Sequence, residues 1–190
     1  MGVVRGPLQG LPCAPFKEES FVDKPVDIIQ VAIEGKKVFV RINGKGSFQN
    51  SPSFRQFYTA MLEEGKGEFF IDLQDCPSMD STFLGTLAGL HFKLQKGNQG
   101  KIHILNVNER NMEVMKNLGI NRLFSMDVNP IDWEQHKTSS VKIEKATSIE
   151  ATKNSIEAHE NLVTVNQDNS PKFKDVLAYL KEDLSRKTGQ

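Results

Sequence analysis

Cysteine is scarce in this chain: Cys13 and Cys76 are the only two in 190 residues. One lies in a tail-like stretch and the other beside a central loop, so two reduced thiols are expected rather than a disulfide framework. Long apolar runs are missing as well. No segment approaches the roughly 18 unbroken apolar residues of a membrane-spanning helix. The start, Met1-Gly2-Val3-Val4-Arg5-Gly6, lacks the apolar core of a signal peptide, and Gly6 stands where a myristoylation signal wants Ser or Thr. The expected compartment is the cytoplasm. Net charge is also absent, because 24 acidic and 24 basic residues cancel. That removes electrostatic capture of nucleic acid or an anionic membrane and leaves proteins or small molecules as partners.

The usual catalytic patterns are wanting too. His91, His103, His136 and His159 fall in four different predicted elements without metal-ligand spacing, so neither a metal nor a cofactor is expected. The chain has no Gly-x-Ser-x-Gly elbow, no phosphate-loop lysine motif and no Gly-rich dinucleotide fingerprint. Asp72, Asp75 and Asp80 could be taken for a metal cluster, but turn and cap roles account for them better. Ser81 as a nucleophile would need a base, and the local sequence offers none. No residue is assigned a catalytic role, and an enzyme is the weaker reading.

What is present is enough for one core: 38% hydrophobic and 8% aromatic residues. Residues 1–24, with Gly6, Pro7, Gly10, Pro12 and Pro15, read as a flexible arm. From Val26 the pattern becomes strand-like through Ile28, Val31 and Ile33. A turn at Glu34-Gly35-Lys36-Lys37 then leads into Val38–Ile42, which indicates a β-hairpin. Ser51-Pro52 offers a cap followed by proline, and Phe54, Phe57, Tyr58, Met61 and Leu62 recur at helical spacing. Strands follow at 68–73 and 101–106, with helices at 82–96 and around Met112, Met115 and Leu118. Gly119 reads as a C-cap before a short strand at Leu123-Phe124. This β β α β α β α β order predicts a small α/β sandwich with a mixed sheet.

The rest of the chain is an extension. Residues 137–147 read as a linker or poorly ordered loop, and Ile149, Ile156, Leu162 and Val163 as a weak amphipathic helix. Ser170-Pro171 opens a last helix with the stripe Phe173, Val176, Leu177, Leu180 and Leu184, which is expected to dock in cis. The expected domains are an arm at 1–24, a folded unit at 25–135, and a linker with two helices at 136–190.

Everything is organised around residues 72–90. A strand ends at Asp72, Pro77 breaks the backbone, and a helix rich in small and apolar residues opens at Asp80-Ser81-Thr82. The first N–H groups of a helix lack internal partners and its dipole favours negative charge, so a hydroxyl there could cap the helix or carry a phosphate. A phosphate would bring about −1.5 to −2 charges beside nearby acids, a sharp change of surface potential without unfolding. Leu84, Leu87, Ala88, His91 and Leu94 can face the core, while Phe83, Leu90 and Phe92 lie off that face. This leaves either a thoroughly buried helix or a docking surface around Phe83. Gly85 and Gly89 cost helix stability and imply a close backbone approach.

These residues resemble a known family. The element order, with Met79-Asp80-Ser81-Thr82-Phe83-Leu84-Gly85 opening the helix after the third strand, resembles the sulfate-transporter and anti-sigma-factor-antagonist (STAS) domain. Among its members the chain is most similar to free-standing bacterial anti-sigma factor antagonists. Asn117-Leu118-Gly119-Ile120-Asn121-Arg122-Leu123-Phe124 resembles the family's segment before its last strand, and the likeness covers about residues 26–135. It implies a STAS-like sandwich, helices mainly on one face of a mixed sheet, plus the C-terminal helical extension. It also implies a partner switch in transcription regulation: the unphosphorylated protein binds an anti-sigma factor that is a serine kinase, phosphorylation at Ser81 releases it, and a PP2C-type serine phosphatase resets it. The implied partner-binding residues are Asp80, Ser81, Thr82, Phe83, Leu84 and Gly85. The family commonly has glycine where this chain has Phe83, which is expected to alter the docking surface. An alternative from the same resemblance is a STAS subunit docking on and regulating an ABC-type transport ATPase.

Overall fold

The computed structural model describes residues 29–97, 100–127 and 131–189. The arm at 1–24, Val26, Ile28 and Cys13 lie outside the described residues. Strand β1 (Ile29–Glu34) turns through Gly35, at φ 58°, into β2 (Lys37–Ile42) as an antiparallel hairpin with Ile33 opposite Val38. Helix α1 (Ser51–Glu63) then crosses to β3 (Glu68–Asp72), α2 (Ser81–Lys96) to β4 (Lys101–Leu105), and α3 (Glu109–Leu118) to β5 (Ser125–Asp127). Strands β2 to β5 are parallel neighbours, as the helical crossovers require. The sheet order is β5-β4-β3-β2-β1-β6, where β6 (Ser139–Ser140) adds to the outer edge of β1.

Side-chain alternation divides the sheet into two faces. Val38, Val40, Phe69, Ile71, Ile102 and Ile104 point to the helices and join Phe54, Tyr58, Leu84, Leu87 and Met115 in one buried core. The opposite face carries Phe39, Phe70 and His103, which are cross-strand neighbours stacked at 5.0 and 4.6 Å between centroids. His136 lies against Phe39 there, with centroids 4.6 Å apart.

The fold is thus the expected mixed-sheet α/β sandwich with helices mainly on one face, but several local expectations shift. Ser51 and Ser170 are the first residues of their helices rather than caps; Asn50 and Asn169 stand in the cap positions. Residues Ile120–Leu123 form a 3-10 turn, and the short strand expected at Leu123-Phe124 begins at Ser125. Gly119 does close α3, at φ 75°. The segment expected to be a loose linker supplies β6, and its Val141 and Ile143 pack against the core.

Helix α4 (Ser148–Val165) starts at a capping box, in which Thr147 accepts from the Glu150 N–H and the Glu150 carboxylate accepts from the Thr147 N–H. It packs on α2 as a further layer, and α5 (Ser170–Thr188) packs on α4. The stripe of α5 therefore docks in cis, though on α4 and only half-buried.

Candidate functional site

The loop between β3 and α2 is clamped from both sides. Gly44 N–H donates to the Asp75 carbonyl at 2.9 Å, Gly46 N–H to Ser78 at 3.0 Å, and Asp80 N–H to Gly46 at 2.9 Å. From the other side, Asn111 accepts from Met79 N–H at 3.1 Å and donates to the Cys76 carbonyl at 2.8 Å, joined there by Asn108 at 2.9 Å. Cys76 is fully buried, and burial pushes its thiol up from the usual range. With its backbone groups tied this way, the loop delivers the start of α2 in one position.

The cap of α2 is Asp80. Its backbone is extended at φ −89°, ψ 171°, and its carboxylate accepts from Phe83 N–H at 2.9 Å and from Phe48 N–H at 2.8 Å. Ser81 is the first helical residue and does not cap. That excludes the capping role for its hydroxyl.

The hydroxyl instead meets His159 of α4, with Ser81 Oγ 3.0 Å from Nε2. The other ring nitrogen, Nδ1, lies 2.7 Å from the Ser155 carbonyl, which can only accept. Nδ1 therefore carries a proton, and in the neutral ring Nε2 accepts while Ser81 donates. His159 is 5% exposed and its ring lies against Phe173 of α5. Sequence reasoning missed this partner: it stands 78 residues away, and a histidine on a weakly amphipathic helix carries no signal of what it faces.

The remaining implied site residues divide. Gly85 is where α2 and α4 meet most closely: a Cβ built there would stand 2.1 Å from the Ala158 carbonyl oxygen. Its own carbonyl accepts from Asn161 Nδ2 at 3.1 Å. At Gly89 a Cβ would stand 2.8 Å from the same amide nitrogen. The close approach expected of these glycines is present. Thr82 is 6% exposed, and Leu84 and Phe83 are fully buried.

Phe83 corrects the expectation of a docking surface around its ring. The ring stacks on Phe54 at 5.4 Å between centroids and fills the space beside Gly46, where a Cβ would come within 2.8 Å of it. A glycine at 46 thus makes room for the ring at 83, and the ring turns inward. With Thr82 to Leu90 all buried, α2 is the thoroughly buried helix. The large apolar side chain exposed nearby is Phe48, at 54%, another residue the sequence did not flag.

The three carboxylates go to separate duties. Asp72 is 1% exposed and accepts from Gln74 N–H, Asn106 Nδ2 and Trp133 Nε1 at 2.9–3.0 Å. Asp75 pairs with Arg41 at 2.5 Å near the surface, and Asp80 caps. Among the described residues no group of three His, Cys, Asp or Glu side chains is placed to hold a metal ion, and no helix is long and apolar enough to cross a membrane.

No curated protein matches the sequence. Among solved structures, a candidate anti-sigma factor antagonist of Thermotoga maritima aligns at 20% identity and TM-score 0.49, over 55% of this chain and 88% of its own. The Bacillus anti-sigma factor antagonist SpoIIAA in its unphosphorylated form aligns at 16% and 0.48, over 53% and 89%. An anti-sigma factor antagonist of Mycobacterium paratuberculosis aligns at 19% and 0.47, over 55% and 86%. The family model for the STAS domain matches residues 29–132, more than half of the sequence, and this chain belongs to that family.

Proposed function

We propose that the chain is an anti-sigma factor antagonist that works by partner switching: unphosphorylated, it binds an anti-sigma factor that is also a serine kinase, and phosphorylation of Ser81 releases it. The observation that carries this reading is the division of labour at the start of α2. Asp80 caps the helix, so the Ser81 hydroxyl has no capping duty, and its partner is His159 of α4 rather than a group that holds the loop. A phosphate on it would add about −1.5 to −2 charges at a helix N-terminus without removing any hydrogen bond that holds the loop.

The partner-facing rim in this reading is Phe48, Asp80 and Ser81; Gly85, further along α2, lies under the Ala158 backbone of α4. Thr82, Phe83 and Leu84 shape the helix from within. The chain then acts by binding alone, in a bacterial cytoplasm, and a PP2C-type phosphatase resets it. Ser81 and His159 resemble a nucleophile with its base, but a backbone carbonyl stands behind the imidazole and the ring is 5% exposed. A hydrolytic turnover abolished by Ser81→Ala would overturn the non-enzymatic reading.

The test is a pull-down from extract of the source cells with wild type and Ser81→Asp as baits, identifying retained proteins by mass spectrometry. Retention of an ATP-binding serine kinase by wild type and its loss by Ser81→Asp is the expected result. Retention of one transport ATPase by both baits would refute it.

A further inference from the structure

We propose that α4 is a cover built into the chain, which holds the Ser81 face of α2 closed and must lift before a partner protein can reach it. The proposal rests on the reading of Ser81 and α2 as the partner site and names how that site is regulated. Three observations carry it.

The first is position. α4 lies along the α2 residues that a partner would need: His159 takes the Ser81 hydroxyl, the Ala158 backbone sits on Gly85, and Asn161 donates to the Gly85 carbonyl. A kinase must place its phosphate donor in line with Ser81 Oγ, and in the closed chain that oxygen spends its proton on an imidazole that is 95% buried, being 5% exposed. The second is origin. α4 begins at Ser148, beyond the STAS match that ends at residue 132, so the cover is an addition to the domain whose face it closes.

The third is the chemistry of the contact. Of the six buried residues of α4, Asn154 and His159 are polar and Ala158 is small; Thr152 bonds to Asp183 and Lys187 of α5, and Ile156 and Leu162 are large and apolar. The Asn154 side-chain nitrogen is buried without a hydrogen-bond partner. The stretch of α4 over Ser81 and Gly85 is thus held by hydrogen bonds and backbone packing, and its large apolar side chains, Ile156 and Leu162, flank that stretch in sequence. A firmer pin holds the far end: Asn169, fully buried, donates to the carbonyls of Leu118 and Leu162. The pin leaves the hairpin tethered while the α4 contact over Ser81 opens.

Phosphorylation changes the latch: a phosphoserine at 81 carries acceptor oxygens where the hydroxyl donated, so His159 could keep the contact only by taking up a proton at Nε2.

The test uses the full chain and two substitutions on α4 that leave the STAS core untouched, His159→Ala and Asn161→Ala. Native-state hydrogen exchange should show α4 amides exchanging ahead of α2 and β3, and each substitution should speed α4 exchange by about 5- to 10-fold, the worth of one hydrogen bond. In the pull-down, Asn161→Ala should retain more of the serine kinase than wild type. Exchange of α4 only together with the core would overturn the cover outright. Faster α4 exchange with unchanged kinase retention would overturn the regulation alone, provided that Ser81→Asp still releases the kinase. No kinase on any bait would sink the reading of Ser81, and this proposal with it.

Discussion

Replacing Gly85 by alanine sets two opposing effects against each other, and their sizes differ enough to decide the outcome. Taken as a helix position, Gly85 is costly: alanine in a helix interior is worth about 1 kcal/mol over glycine. That gain favours α2 itself. The new Cβ, however, would stand 2.1 Å from the Ala158 carbonyl oxygen and 2.5 Å from its carbon. Both are backbone atoms of a helix and cannot swing aside, so α4 must move off. Ile156 and Leu162, 9% and 0% exposed, are the large apolar side chains it would withdraw. Full burial of each is worth about 1.5–3 kcal/mol, together roughly 3–6 kcal/mol as an upper bound. The clash therefore outweighs the propensity gain for the α4 contact, while the STAS domain keeps its own core. Urea unfolding followed by circular dichroism, with hydrogen exchange of α4, checks this. Gly85→Ala should split one transition into two, with α4 amides unprotected before the strands melt. A single cooperative transition at or above the parent midpoint, with α4 still protected, would refute the reasoning.

Phe83→Ala should cost about 3–5 kcal/mol, because a fully buried ring stacked on Phe54 leaves a cavity; the urea midpoint reads it, and a cost near zero would return Phe83 to the surface. Asp80→Ala removes the acceptor for both Phe83 N–H and Phe48 N–H and should cost about 1–2 kcal/mol. Asp80→Asn, whose one amide oxygen can keep the Phe83 N–H bond while its NH2 faces Phe48 N–H, should recover only part of that in the same melts. Burial lowers the pKa of His91 from its usual value, so the unfolded chain binds the proton more readily. This group's contribution is then fully present above the unfolded pKa near 6.5 and is lost as pH falls below it. Melting points between pH 7 and pH 5 should fall less steeply for His91→Gln than for the parent, and an identical slope would count against it.

The hairpin, the three crossovers and the sheet class were legible in the sequence because each rests on a local pattern: alternation around Gly35, helical spacing from Phe54 to Leu62, and a glycine closing α3. Boundaries slipped by one residue at Ser51 and Ser170, where serine-proline pairs look like caps whichever of two adjacent residues takes that position. Phe83 misled for a different reason. Its neighbours place it off the expected core stripe, and only the packing partner, a ring at 54 and a bare backbone at 46, turns it inward. Nothing within one helical turn of Phe83 records that space.

Ser81 shows where single-sequence reasoning runs out and what structure adds. From sequence the hydroxyl had two possible duties, cap or modification site, because Asp80 and Ser81 are both good caps. Geometry removes the cap: the carboxylate of Asp80 reaches the Phe83 N–H, and the hydroxyl lies against His159. The glycines at 85 and 89 announced a close approach without naming what approaches. That proved to be α4, from outside the matched domain. The same contact explains why a helix that carries a candidate regulatory serine also carries two residues that weaken it: small residues let another helix backbone lie against it. If α4 and a partner helix use the same glycine-lined face, then the features that make α2 a poor helix are those that let it exchange one cover for another.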